Sequence, residues 1–213
     1  HWMVHSFPTR RSSDLIADAR SKVGAGSVIL DDVSKTVKFA KEGVELDLGA
    51  VAKGYAVDRA AKVLKDLGIQ NAVVSAGGDM YCMGMRSKEK RWKIGIQHPR
   101  DRSKVINNIT VIDKGVDTSG DYERYFTIAG RRYSHIIDPK TGMPIGDNIV
   151  SATVVAPDSM MADVFATALC VSGKDGLEIA RSNGVDAMLI IKEDDSLNIH
   201  MTEDFKDKYA LKK

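Results

Sequence analysis

Only two cysteines occur in 213 residues, Cys82 and Cys170, and both sit among apolar neighbours. A disulfide framework needs more of them, so both read as buried free thiols and leave the redox compartment open. No apolar run approaches the roughly 18 residues of a membrane span. The first residues also lack the charged-then-apolar order of a secretory leader. An excess of one charge is missing too: 31 Lys and Arg against 29 Asp and Glu leave +2, with the signs interspersed. That pattern argues against a nucleic-acid footprint. There is no internal repeat and no linker-like stretch. What is present is 43% hydrophobic and 28% charged, a globular balance that excludes collagen-like, low-complexity and wholly disordered chains. At this length a single core is expected.

Residues 1–15 (HWMVHSFPTRRSSDL) show neither helical nor strand periodicity. They read as a non-native or disordered segment joined to an N-terminally truncated protein, and His1, Trp2 and His5 are not taken as a site. The domain proper is expected over 16–213. Within it, strands are expected at SVILDD, at TVKFA and at 44–48 (VELDL), followed by a helix over 52–67. In that helix Val57, Ala60, Ala61, Leu64 and Leu67 recur at helical steps, and Gly68 stops it. A short buried strand (71–76), a strand at 92–97, another near 109–112 and a hairpin over 125–137 follow. Next come a turn at 138–142 and a buried strand over 149–156. Asp158 or Ser159 then caps a helix reaching Ser172, a further helix runs over 175–183, and a final hairpin spans 186–201. Helices and strands mix without strict alternation, so the fold class is α+β.

Three places break the pattern. The helix SMMADVFATALCVS carries one charge, Asp163, in a segment apolar nearly all round. A buried carboxylate costs several kcal/mol unless it is compensated. Thr167 lies one turn further on, so the pair offers two hard oxygens suited to Mg²⁺ or Ca²⁺. The competing reading is an Asp that caps a neighbouring loop, with Thr167 bonded back to its own helix. Second, ELDLGAVAKGY passes from strand to helix, and its notable members are Asp47, Gly49, Ala50, Lys53, Gly54 and Tyr55. Glycines there let backbone amides approach a phosphate, and Lys53 adds a point charge. The spacing is neither a Walker A loop nor GxGxxG, and on its own the run is read first as an ordinary strand–turn–helix. Third, DTSGDY is followed by YSHIIDP, where His135 is expected inside a strand. Such a histidine is either a satisfied core residue or a proton acceptor near neutral pH.

Taken in order, LDLGAVAKGYAVDRA, VVSAGGDMYCMG, TSGDYERYF, YSHIIDPKTGMPI and ATVVAPDSMMADVFATALCVSG resemble the ApbE family of flavin transferases. The resemblance covers about three quarters of the chain and implies largely antiparallel sheets with packed helices. It also implies FAD as substrate and Mg²⁺ as cofactor, with transfer of FMN to a threonine or serine hydroxyl of an acceptor flavoprotein and release of AMP. By the same resemblance Asp163 and Thr167 would hold the metal with the backbone carbonyls of Ala50 and Ala166. Asp47 and Lys53 would contact FAD, and His135 would contact it or act as general base. Ser119 and Gly120 would line the same cleft. A bacterial cell-envelope location is implied as well. FAD hydrolysis and non-catalytic flavin binding are the competing functions.

Overall fold

In the computed structural model the described residues are 10–146, 148–194 and 196–209. In chain order the elements begin with α1 (Arg10–Lys22), β1 (Val28–Asp31), β2 (Thr36–Phe39), α2 (Ala52–Asp66), β3 (Ala72–Ala76) and β4 (Asp79–Met83). The middle holds β5 (Trp92–His98), β6 (Asp101–Val111), β7 (Lys114–Gly120), β8 (Tyr125–Ile128), β9 (Arg131–Ser134), β10 (Ile137–Asp138) and β11 (Met143–Pro144). The last part holds β12 (Ile149–Ala156), α3 (Ser159–Ser172), α4 (Gly176–Ser182), β13 (Asp186–Glu193), β14 (Ser196–Met201) and α5 (Phe205–Tyr209). The protein is α+β, and every strand pairing is antiparallel. Among the described residues no helix is long and apolar enough to cross a membrane. Both cysteines are buried and free.

The chain divides into two compact units. One comprises the residues up to Asp47 together with Ile137–Pro144. It holds α1, the β1–β2 hairpin and the small β10–β11 pair. The Arg20 guanidinium of α1 donates to the Lys140 carbonyl in the turn between β10 and β11. Residues 1–9 of the segment read as non-native lie outside the described residues, while Arg10 to Leu15 form the start of α1.

The other unit, Leu48–Ile136 with Ile145–Lys213, is built on a six-stranded sheet in the order β14-β13-β12-β7-β4-β3. Central β12 (IVSATVVA) is buried at all eight positions, as a strand covered on both faces must be. One face of the sheet meets α3 and α4 through Ala152, Val154, Leu189, Ile191, Leu169 and Ala180. The other meets the β5–β6 hairpin and α5 through Val150, Val155, Ile190, Ile96, Ile109 and Phe205.

Four local expectations need correcting. Residues 44–48 form no strand, because their alternation finds no partner ladder. The strand over 71–76 is not buried: β3 is the outer edge of the sheet, and Val73 is exposed. Helix α3 is not buried all round, since Met160 and Val164 are 37% and 40% exposed. Its buried side is the stripe of Ser159, Ala162, Asp163, Ala166, Leu169 and Cys170. His135 lies in a bend just past β9 rather than inside a strand.

Helices α2 and α3 approach to backbone contact at Gly54. A Cβ at this position would collide with the Ser159 carbonyl oxygen and lie 2.7 Å from the Met160 Cα. Both are main-chain atoms that cannot swing aside. Gly54→Ala is therefore expected to force the helices apart and cost about 2 kcal/mol, within the range for overpacked cores, read as a lower urea midpoint.

Candidate active site

Why does a carboxylate sit on the buried stripe of α3? Asp163 is 1% exposed, and its two oxygens have different partners. Oδ2 accepts from the Gly54 amide of α2 at 3.1 Å, and Oδ1 accepts from Lys53 Nζ at 3.1 Å. Val51, at the N-cap of α2, makes no side-chain cap. Asp163 therefore supplies from another helix the acceptor that a free helical amide needs. The favourable end of the α2 dipole adds to this.

Lys53 also donates to Asp79 Oδ1 at 2.6 Å. Asp79 opens β4, immediately after the Gly77-Gly78 turn, where both glycines have positive φ (62° and 108°). Asp117 lies on β7, and the antiparallel register Met80↔Val116 carries Asp79 and Asp117 to neighbouring positions. One ligand oxygen from each of Asp79, Asp117 and Asp163 lies within 4.8 Å of the others. All three residues are buried, at 1%, 2% and 1% exposure. Two of their oxygens, Asp79 Oδ2 and Asp117 Oδ2, have no hydrogen-bond partner.

The electrostatics follow from three acids around one cation. Burial, reinforced by the neighbouring Asp79, pushes Asp117 up to about 8. Burial also raises Asp163, although the Gly54 amide and Lys53 oppose the rise. For Lys53 burial works against the charge, but the hydrogen bond to Asp79 and the charges of Asp117 and Asp79 outweigh it and hold its pKa above the ordinary lysine value. The group is short of positive charge and rich in hard oxygens.

Thr167, one turn beyond Asp163, shares a hydrogen bond with Ser119 Oγ of β7 at 3.2 Å. Ala166 is fully buried on the same helix, while Ala50 is exposed just ahead of α2. Asp47 lies in the other unit, exposed, in the irregular stretch that precedes α2. His135 belongs to the segment after the β8–β9 hairpin, and its Nδ1 lies 2.9 Å from the Arg124 carbonyl oxygen. A carbonyl only accepts, so Nδ1 carries the proton in the neutral ring and Nε2 keeps its lone pair. Of the residues singled out from the sequence, then, Lys53 and Asp163 are in direct contact and Thr167 is on the same helix. Asp79 and Asp117 join them without having been singled out.

A fourth carboxylate supports the frame. Asp58 of α2 accepts from the Ser159 and Met160 amides at the start of α3, both at 2.8 Å. Asp158, one of the two residues expected as N-cap, accepts from the Met161 amide at 2.7 Å.

The sequence matches the ApbE family profile over residues 2–189. It is 35% identical to the FAD:protein FMN transferase of Escherichia coli (strain K12) over 199 residues, which are 92% of this chain and 57% of that protein. The crystal structure of the ApbE protein of Thermotoga maritima is similar with a TM-score of 0.85 at 35% identity, over 98% of this chain and 66% of that one. The flavin transferase ApbE of Vibrio cholerae gives a TM-score of 0.83 at 32% identity, over 96% of this chain and 64% of that one. The chain thus spans rather more than half the length of the relatives it matches.

Proposed function

The chain belongs to the ApbE family, and from that premise we propose that it carries out, within a protein of the relatives' length, the transfer of FMN from FAD to a threonine or serine hydroxyl of a target flavoprotein, releasing AMP. The observation that supports this reading is the group of Lys53, Asp79, Asp117 and Asp163, with two buried carboxyl oxygens that no donor from another residue type reaches. Unsatisfied buried carboxylate oxygens are costly and suit a hard divalent cation such as Mg²⁺. Asp163, the Thr167 hydroxyl and the carbonyls of Ala50 and Ala166 would hold it, with Asp79 and Asp117 the adjacent carboxylates. When bound, Mg²⁺ would supply Lewis-acid polarisation and charge neutralisation at the diphosphate.

The chain's own residues account for the remaining chemistry. Lys53 offers a fixed positive charge to the diphosphate, kept protonated by its acidic neighbours. His135 Nε2 is free to take the proton of the attacking hydroxyl, because Nδ1 is committed to Arg124. A bond forms from the hydroxyl oxygen to the FMN phosphorus. The bond from that phosphorus to the bridging oxygen breaks, and AMP departs with the bridging oxygen and its electron pair. The cell-envelope location implied by the family resemblance belongs to the same proposal.

The test uses the full gene product with FAD, Mg²⁺ and an acceptor flavoprotein. The expected result is a covalent FMN adduct on a threonine or serine, with one AMP released per adduct. Free FMN and AMP with no adduct would instead make the protein an FAD hydrolase. FAD bound without turnover would make it a flavin carrier.

A further inference from the structure

The contacts between α2 and α3 form a closed four-cornered ring. Gly54 and Asp58 stand one turn apart on α2, and Ser159 and Asp163 stand one turn apart on α3. Asp163 Oδ2 receives the Gly54 amide at 3.1 Å. Asp58 Oδ1 receives the Ser159 amide and Oδ2 the Met160 amide, each at 2.8 Å. Each helix thus caps the other's N-terminus with a carboxylate. Gly54 lets the two backbones come close enough for both caps to form. The geometry points to Asp58 as a positioning residue of the Asp163 site, one that fixes the first turn of α3 against α2 and so sets where Asp163 stands relative to Lys53.

Three observations separate this from an ordinary helix cap. Asp158 already caps α3 from its own N-cap position by taking the Met161 amide, so the helix does not need Asp58 merely to begin. Asp58 uses both oxygens on consecutive amides, a bidentate grip that fixes direction as well as distance. The two gripped amides are three and four residues before Asp163, so any shift at the start of α3 is passed along one rigid turn to the carboxylate. Groups bonded directly to a metal ligand typically change metal affinity ten- to a hundredfold when removed, and Asp58, which acts on Asp163 through one turn of helix, belongs at the lower end of that range.

The inference rests on Asp163 being a cation ligand, and the experiment separates the two ideas. In Asp58→Ala, Mg²⁺ binding measured by calorimetry is expected to weaken about tenfold. Asp58→Asn keeps one acceptor oxygen and is expected to fall between Ala and the parent. Phe205→Leu, chosen in the core on the far face of the sheet, serves as a comparably destabilised control and is expected to bind Mg²⁺ like the parent. Hydrogen exchange at the Gly54 amide is followed in parallel without metal and is expected to speed up in both Asp58 variants. If Asp58→Ala does not fold, the Asn variant decides. Unchanged Mg²⁺ affinity together with unchanged Gly54 exchange in a folded variant overturns the proposal. An Mg²⁺ loss equal to that of Phe205→Leu also overturns it, because it reduces Asp58 to a general stabiliser. If the parent itself binds no Mg²⁺, the metal reading fails on its own, and Gly54 exchange still decides whether Asp58 holds the two helices in place.

Discussion

Lys53→Met should destabilise the protein by about 2 kcal/mol at pH 8, below what removing one partner of a fully buried ion pair costs, because water reaches the Lys53 side chain, which is 42% exposed. The substitution leaves three acids, each under 3% exposed, around no cation. Part of the loss is relieved by protons, which gives the experiment its signature. Asp117 is already pushed up to about 8 by burial and by Asp79, and Lys53 is the neighbour that opposes the rise. Asp163 is raised by burial too, with Lys53 again among the opposing groups. Without Lys53 both carboxyls move further up. An acid whose folded pKa lies above its unfolded one stabilises the fold at low pH and loses that contribution as pH rises through the folded value. The variant should therefore approach the parent near pH 5 and fall furthest behind it near pH 8. Urea unfolding at the two pH values checks this. A deficit of equal size at both would show that Lys53 contributes packing rather than charge. Millimolar Mg²⁺ should restore much of the lost stability, since a dication at the same carboxylates replaces the missing positive charge.

In the full gene product, Asp163→Ala should reduce the proposed FMN transfer about a thousandfold, equivalent to the several kcal/mol that a metal contributes to charge stabilisation at a phosphoryl centre. Two losses combine. The carboxylate that would hold the cation is gone, and the Gly54 amide at the head of α2 loses its acceptor, so Lys53 is less firmly placed. Asp163→Asn separates the effects, because its amide oxygen can still receive the Gly54 N–H while the charge is removed. Equal activity for the Ala and Asn variants at saturating FAD would assign the loss to charge. A large recovery in Asn would assign it to placement. Transfer at the parental rate in either variant, with Mg²⁺ limiting, would remove Asp163 from the metal site.

How much of this was legible in the residues depends on the kind of signal. Asp163 stood out because it is the lone charge in an apolar helix, and burial of ionised groups is expensive enough to demand a reason. Helix α2 was readable from its periodicity, and so was the strand-then-helix passage from β12 to α3. Asp79 and Asp117 stayed hidden. Asp79 follows two glycines, where an aspartate is ordinary turn chemistry, and Asp117 lies in KGVDTSG, a strand with one branched aliphatic residue. Their meaning comes from the register between β4 and β7, which no local pattern contains. One signal was available: once KGVDTSG is taken as a strand, alternation puts Asp117 and Ser119 on one face. Asp58 was hidden for a related reason. On α2 alone it looks like a solvated charge, and only the arrival of α3 gives it two amides to hold. The strand read at 44–48 failed because alternation describes a chain able to pair and cannot supply the neighbour.

The ion pair that joins Lys53 to Asp163 connects residues 110 positions apart, and Lys53 to Asp79 spans 26. Closing loops of this length costs chain entropy that the ion pairs alone do not offset, so the surrounding sheet and helices must hold the group together. An unfolded chain holds these carboxylates apart and in water, so the proposed affinity for a dication is expected to track the folded fraction through a urea titration.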